Sequence, residues 1–172
     1  MEVERKGECM DRLILLRHGK AESDSDSGDD FDRRLAARGL RESADMAAHL
    51  ADLGFTPQIA LISPAARTRG TWEAACGAFA GAEARFLDEL YHADAGTIRR
   101  AAESVAAEAK TVLVVGHNPG LQELTLQLLQ EGAAPSGLIG RAQRNFPTAA
   151  AAVFLFDGAR RPHYDGLFFP ER

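Results

Sequence analysis

Three segments of this sequence share one pattern, in which a short apolar run is followed at once by polar residues that include Arg or His. They are Leu-Ile-Leu-Leu-Arg17-His18-Gly19, Ile-Ala-Leu-Ile-Ser63-Pro64-Ala-Ala-Arg67-Thr68 and Thr-Val-Leu-Val-Val-Gly116-His117-Asn118-Pro119-Gly120. An arginine guanidinium matches tetrahedral phosphate oxygens through paired, charge-assisted hydrogen bonds. A neutral imidazole is a competent nucleophile toward phosphorus and can carry a covalent phosphoryl group. Together these residue types predict phosphoryl chemistry.

The protonation state of the first histidine decides whether it can act as a nucleophile. Positive charges nearby disfavour the imidazolium form, so neighbouring arginines are expected to keep His18 neutral and reactive. The sequence contains no P-loop, and no paired carboxylates stand out as metal ligands. It therefore predicts a covalent route that uses no metal and no cofactor.

The apolar runs alternate along the chain with patterns of helical period. We predict strands at 13–16, 59–62, 85–87, 111–115, 149–156 and 164–169, helices at 35–53, 64–79, 95–109 and 119–130, and a Gly- and Pro-rich loop at 132–147. Asn118 is placed to cap the last of these helices. The alternation predicts an α/β fold, a three-layer αβα sandwich whose central sheet is mostly parallel with an antiparallel C-terminal edge.

This fold would bring the three polar segments together. Ligands of open α/β sheets bind just beyond the carboxyl ends of the strands, where each segment lies. Two of the segments also open helices, whose first turns offer backbone N–H groups and the positive end of a helix dipole. The combined prediction is a phosphate pocket.

The whole chain limits the possible classes of protein. Its 172 residues fit a leader at 1–11, with Met10 as an alternative start, and one domain at 12–172. A net charge of −5 argues against nucleic acid as a partner. Cys9 and Cys76 give neither a disulfide framework nor a zinc site. No apolar run approaches the roughly 18 residues of a membrane helix, and no signal peptide is evident, so we expect a cytoplasmic protein without a membrane partner.

The three segments resemble the three motifs of the histidine phosphatase superfamily, also called phosphoglycerate mutase-like. These motifs are Leu-Leu-Arg17-His18-Gly19, Ser63-Pro64-x-x-Arg67-Thr68-x-x-Thr71 and Val115-Gly116-His117-Asn118-Pro119. With Arg33-x-Leu35-x-x-x-Gly39 they follow the family order and cover about residues 12–156. The short chain and Phe146-Pro147-Thr148 are most similar to the SixA-type phosphohistidine phosphatases.

The resemblance implies a role for each site residue. His18 would be phosphorylated, Arg17 and Arg67 would clamp the phosphate, and His117 would stabilise its charge. We expect Gly19, Arg33 and Asn118 to assist substrate binding. Glu89 lies where related phosphatases carry an acid that protonates the leaving group, and the alternative is a solvated or structural carboxylate.

Two positions depart from the family pattern. Gly70 stands where the family usually has Gln or Glu, and Arg34 replaces the proline usually seen after Arg33. The second change leaves open which of the two arginines, if either, turns toward the site. His92, near the expected rim, is a further residue that could touch the substrate.

The sequence supports a phosphatase that acts on phosphohistidine-bearing protein or on a small phosphoester. One alternative is a phosphate-binding regulatory module that no longer turns over, and another is a phosphosugar-type mutase or phosphatase of the same superfamily. The acidic loop at 22–32 flanks the expected site and could discourage highly anionic substrates. The partner is therefore expected to be a phosphorylated protein or a small phosphorylated molecule.

Overall fold

The computed structural model describes residues 9–171, which build an α/β fold around a six-stranded sheet. The strands are β1 Arg12–Arg17, β2 Ile59–Ile62, β3 Glu83–Phe86, β4 Thr111–Gly116, β5 Ala151–Phe156 and β6 Pro162–Phe168. Their order in the sheet is β3-β2-β4-β1-β5-β6. The first four strands of that order pair in parallel, whereas β5 runs antiparallel to β1 and to β6. The predicted fold class is confirmed.

Five α-helices in the described part of the chain cover the two faces of the sheet. They are α1 Ala37–Asp52, α2 Ala66–Ala75, α3 Ala95–Ser104, α4 Gly120–Glu131 and α5 Ser136–Arg144. Helices α1 and α2 pack on one face through residues such as Met46 and Trp72. Helices α3 and α4 pack on the other face through residues such as Ile98 and Leu124. No helix in the described part of the chain is both long enough and apolar enough to cross a bilayer.

The sheet has an apolar core on each side because the interior positions of its central strands are all apolar. In β1, Leu13 and Leu15 face the core under α3 and α4, while Ile14 and Leu16 face the core under α1 and α2. Successive side chains of a strand point to opposite faces, so an unbroken apolar run is what a strand covered on both sides requires.

Helix α5 corrects the prediction of a loop at 132–147. Its Gly137 and Gly140 each lower helix propensity by about 1 kcal/mol relative to Ala, which conceals the helix in the sequence. Contacts with α4 compensate, since Ala142 is fully buried and its carbonyl accepts a hydrogen bond of 2.8 Å from the Gln122 amide. Tertiary packing has outweighed local propensity.

The predicted leader at 1–11 falls largely outside the described residues. Its described end is part of the fold, because Met10 is buried and its N–H donates to the Ala106 carbonyl at 2.6 Å. Met10, which the prediction places in the leader, is therefore packed into the fold. Whether translation starts at Met10 stays a prediction.

Candidate active site

The sheet order brings the three polar segments together at the carboxyl ends of the central strands. Strands β2, β4 and β1 are neighbours, and their carboxyl ends lead to Ser63, His117 and His18. The Ser63 hydroxyl lies 2.7 Å from Nε2 of His117, and the rings of His117 and His18 have centroids 5.3 Å apart. Arg67 joins them from the first turn of α2. The predicted cluster is thus present in the structure.

The backbone that carries His18 is held between two helices. A Cβ on Gly19 would lie 2.5 Å from the Gly39 carbonyl oxygen of α1, so the approach requires glycine. The Gly19 N–H donates to Thr71 Oγ1 of α2 at 3.0 Å. Because this N–H is already bonded within the protein, it is not available to a substrate. The contacts of Gly19 therefore serve to position His18.

The ring of His18 is buried and has a defined tautomer. The residue is only 6% exposed. Nδ1 lies 2.7 Å from the Gly19 carbonyl oxygen, which can only accept, so Nδ1 carries the hydrogen. Burial, together with the charges of Arg17, Arg67 and Arg33, lowers the pKa of His18 to about 3, against the opposing effect of this hydrogen bond. The imidazole is therefore neutral at physiological pH, with its lone pair on Nε2.

His117 is also buried and neutral. Burial first, and then the neighbouring His18 and Arg67, lower its pKa to about 2. Ser63 can donate its hydroxyl hydrogen to Nε2, which places the ring hydrogen on Nδ1. That Nδ1 is buried and has no hydrogen-bond partner among the described residues. An incoming oxyanion would supply the missing acceptor.

Arg67 is the most deeply buried charge of the site, at 3% exposure. Nη1 donates to the Asp30 carbonyl oxygen at 2.9 Å and Nη2 to the Asp30 carboxylate at 3.0 Å. The remaining nitrogen, Nε, is buried and has no partner in the described part of the chain. One edge of the guanidinium is therefore paired within the protein, and Nε keeps a hydrogen to donate.

Arg17 and Asn118 are tied to the same carbonyl group. Nη1 of Arg17 donates to the Phe146 carbonyl oxygen at 3.0 Å, and the Asn118 amide donates to it at 2.9 Å. Asn118 was expected to cap α4, but that helix begins at Gly120 and has no side-chain cap. The Asn118 amide instead links the end of β4 to the segment before β5. The hydrogen bond from Arg17 to the same carbonyl oxygen positions Arg17.

The rim of the site carries Asp30, Tyr91 and His92. The Tyr91 hydroxyl donates to Asp30 Oδ2 at 2.6 Å, and His92 Nε2 lies 3.2 Å from the same oxygen. The His92 ring lies beside that of His117, with centroids 5.4 Å apart. His92 is a candidate from the sequence, whereas Asp30 and Tyr91 carry no signal there beyond their place in loops that flank the expected pocket.

The structure distinguishes the two adjacent arginines. Arg33 is half-buried and forms an ion pair with Asp30, with Nε 3.1 Å from Oδ1, while Arg34 is exposed. Arg33 is therefore the one that turns toward the cluster. Gly70, the other departure from the family pattern, packs on Leu35, whose Cγ would lie 3.2 Å from a Cβ there.

Glu89 does not join the cluster. It is exposed in the short 3₁₀ turn Asp88–Leu90 and has no hydrogen bond or ion pair with any residue of 9–171. Within the same described residues, no three His, Cys, Asp or Glu side chains form a group that could hold a metal ion.

The two neutral histidines should make stability depend on pH. Once unfolded, both regain a pKa near 6.5, so below that pH the unfolded chain binds protons that the folded chain does not. The free energy of unfolding should therefore fall as the pH is lowered from 6.5 toward 5, by up to about 1.4 kcal/mol per pH unit for each histidine. Urea unfolding of wild type and His117→Asn across this range measures the effect, and the variant should show the shallower slope. Equal slopes would contradict the assignment of His117 as a buried neutral group.

Comparison with known proteins agrees with this geometry. Residues 13–113 match the model of the histidine phosphatase superfamily, branch 1. An uncharacterized chloroplastic protein of Arabidopsis thaliana is 33% identical over 127 residues, which are 68% of this chain and 58% of that protein. The chain thus spans less than two thirds of the length of this relative.

Solved structures give the same grouping. The structure assigned as the phosphohistidine phosphatase SixA from Agrobacterium tumefaciens is 31% identical, with a TM-score of 0.82 over 94% of this chain and 99% of that one. The protein histidine phosphatase SixA complexed with tungstate is 25% identical, with a TM-score of 0.75 over 92% of this chain and 97% of that one. On its sequence motifs, its fold and these matches, the chain belongs to the histidine phosphatase superfamily and to its SixA-type branch.

Proposed function

We propose that this phosphatase is a metal-independent phosphohistidine phosphatase in which His18 takes the phosphoryl group. The observation that carries the proposal is the hydrogen bond from Nδ1 of His18 to the Gly19 carbonyl, which leaves the lone pair on Nε2. Burial and the nearby Arg17 and Arg67 keep this ring neutral. A neutral, oriented imidazole among cationic groups is the arrangement that attack on a phosphate ester or phosphoramidate requires.

The reaction proceeds in two balanced steps. In the first, Nε2 of His18 attacks phosphorus, the new P–N bond forms, and the bond to the leaving group breaks with its electron pair going to the leaving atom. In the second, water attacks phosphorus, the P–N bond to His18 breaks, and inorganic phosphate leaves with the neutral imidazole restored. Arg17, Arg67 and Nδ1 of His117 hold the phosphoryl oxygens as charge redistributes.

The choice of phosphohistidine as the substrate rests on the lack of a carboxylic acid at the described cluster that could protonate the leaving group. Asp30 is the carboxylate in contact with the cluster, and its hydrogen bonds from Tyr91 and Arg67 hold its pKa well below the usual range. It is therefore ionised at neutral pH and does not serve as an acid. An alcohol leaves phosphorus slowly without a proton. A phosphohistidine ring that already carries a proton on its far nitrogen leaves instead as neutral imidazole, a much weaker base than an alkoxide. The proposed partner is thus a protein phosphorylated on histidine.

The likeness to SixA structures supports the same substrate class. The tungstate bound by one of them is a tetrahedral oxyanion like phosphate. Nε of Arg67 and Nδ1 of His117, which are buried and have no partner among residues 9–171, are suited to bind such an anion.

The test compares two substrates with and without a metal chelator. Hydrolysis of a phosphohistidine-bearing protein and of p-nitrophenyl phosphate is followed for wild type with EDTA present and absent. We expect turnover of the phosphohistidine protein to be unchanged by EDTA to within about twofold, since the charge is stabilised by arginine and N–H donors. Loss of turnover in EDTA that added metal restores would contradict the proposal, as would p-nitrophenyl phosphate being the far better substrate.

The exposed position of Glu89 favours a second candidate, a phosphate-binding module that recognises phosphorylated partners without turning them over. The same assay separates the two, because a binding module would retain phosphate or vanadate affinity while releasing no inorganic phosphate from either substrate. An acid-labile label would then fail to accumulate on His18.

A further inference from the structure

The Asp30 carboxylate lies at the mouth of the phosphoryl site, where none of the steps above uses it. Its side chain is 46% exposed, whereas that of Arg67, to which it is bound, is 3% exposed. Asp30 is therefore on the solvent side of the arginine, where a substrate that comes from solvent can contact it.

Arg67 can hold Asp30 and a phosphoryl group at the same time. Asp30 takes hydrogen bonds from Nη1 and Nη2. Nε is buried and without a partner in the described part of the chain, so it is available to a second acceptor. Guanidinium has five N–H groups around its plane, and two edges can bind two oxyanions. The phosphoryl group can thus bind at Nε without displacing the carboxylate.

Asp30 is also fixed in place by residues around it. Tyr91, His92 and Arg33 contact its two carboxylate oxygens, in addition to Arg67. The loop that carries Asp30 is closed at its base by the Glu22 N–H donating to the Arg34 carbonyl at 2.8 Å. Because four side chains that can donate hydrogen bonds surround it, the carboxylate stays ionised and is held at the entrance to the phosphoryl site.

We propose that Asp30 is a specificity-determining residue, a fixed negative charge that selects the leaving group by its charge. The inference rests on the proposed function, since it concerns the part of the same site that contacts the leaving group. A leaving group with an N–H donor or a positive charge, as the far nitrogen of a phosphohistidine ring offers, is attracted to the carboxylate. A leaving group that carries a carboxylate or a second phosphate is repelled by it.

The test measures binding rather than turnover, so that it does not depend on catalysis. Three benzylphosphonates that cannot be hydrolysed are used, with an aminomethyl, a carbamoyl or a carboxyl group in the para position. Their dissociation constants are measured by calorimetry for wild type, Asp30→Asn and Asp29→Asn. Asp29 is the matched control, because it is exposed on the same loop and the change removes the same charge without touching the Arg67 contacts.

For wild type we expect the aminomethyl compound to bind most tightly and the carboxyl compound most weakly. Asp30→Asn should shrink the ratio of these two dissociation constants by about tenfold, whereas Asp29→Asn should shrink it by less than about twofold. Circular dichroism melting checks that both variants are folded.

Two results would overturn the inference. If Asp30→Asn tightened or weakened all three phosphonates by the same factor, Asp30 would be a competitor for Arg67 or a support for it, and not a selector of the leaving group. If Asp29→Asn shrank the ratio as much as Asp30→Asn, the effect would belong to the net charge of the loop. Either result would leave the proposed function standing, since that is decided by hydrolysis of phosphohistidine protein.

Discussion

His18→Ala should abolish turnover while the protein stays folded. The covalent route depends on one imidazole nitrogen, and no other side chain of the cluster can replace it without moving the backbone that β1, α1 and α2 fix. We expect the rate of phosphohistidine hydrolysis to fall by at least about a thousandfold, as losses of a covalent nucleophile do. Steady-state kinetics on wild type and variant measure the fall, and a thermal melt checks the fold.

The same variant gives a chemical test of the intermediate. Wild type quenched during turnover of a ³²P-labelled phosphohistidine protein should carry an acid-labile, base-stable label, and His18→Ala should carry none. His163→Ala is the matched control, because His163 is exposed, pairs with Asp157 at the hairpin between β5 and β6, and should keep the wild-type rate and label. A rate above a tenth of wild type for His18→Ala would end the assignment of His18 as nucleophile.

The central strands were predictable from the sequence because both of their faces are buried. Ile59–Ile62 is an unbroken apolar run with turn-forming residues on both sides, and the structure gives it the same bounds. The less apolar strand β3 was expected at 85–87 and is found at Glu83–Phe86, since its position depends on pairing with β2. Helix α5 escaped prediction because its two glycines lower its propensity, while tertiary contacts such as its packing on α4 stabilise it.

The residues of the site differ in the same way: some were predictable from local sequence, and others depend on tertiary contacts. His18, Ser63 and His117 follow strand ends directly, so sheet topology alone brings them together. Asp30 and Tyr91 reach the cluster from two separate loops, and the contact between them spans 61 positions of the chain. No local pattern encodes such a contact. The expected cap role of Asn118 failed for the same reason, because the Phe146 carbonyl, 28 residues away, binds its amide instead.

Arg67→Lys should leave a folded protein that turns over far more slowly. Arg67 uses Nη1 and Nη2 on Asp30 and keeps Nε for a further acceptor, whereas a lysine ammonium is a single point of charge on a flexible stem. It could not hold the Asp30 carbonyl, the Asp30 carboxylate and a phosphoryl oxygen in the same geometry. Loss of such a preorganised contact costs about 100- to 1,000-fold in rate, or about 3–4 kcal/mol.

The measurements are kcat/KM on phosphohistidine protein and inhibition by vanadate, a transition-state-like oxyanion, for wild type and Arg67→Lys. Arg69→Lys is the control on the same helix, because Arg69 is an exposed residue whose Nε donates to the Pro64 carbonyl and whose guanidinium stacks on Phe86. That variant should match wild type to within about threefold, as surface substitutions usually do.

Vanadate separates two ways in which Arg67→Lys could act. If Arg67 stabilises the transition state, vanadate inhibition should weaken together with kcat/KM, because both depend on holding an oxyanion against His18. If Arg67 serves only to anchor Asp30 and its loop, the variant should lose thermal stability while vanadate binds as in wild type. A variant equal to wild type in rate and in vanadate inhibition would make Arg67 a structural arginine, and the phosphoryl group would then have to be held by Arg17, Arg33 and His117.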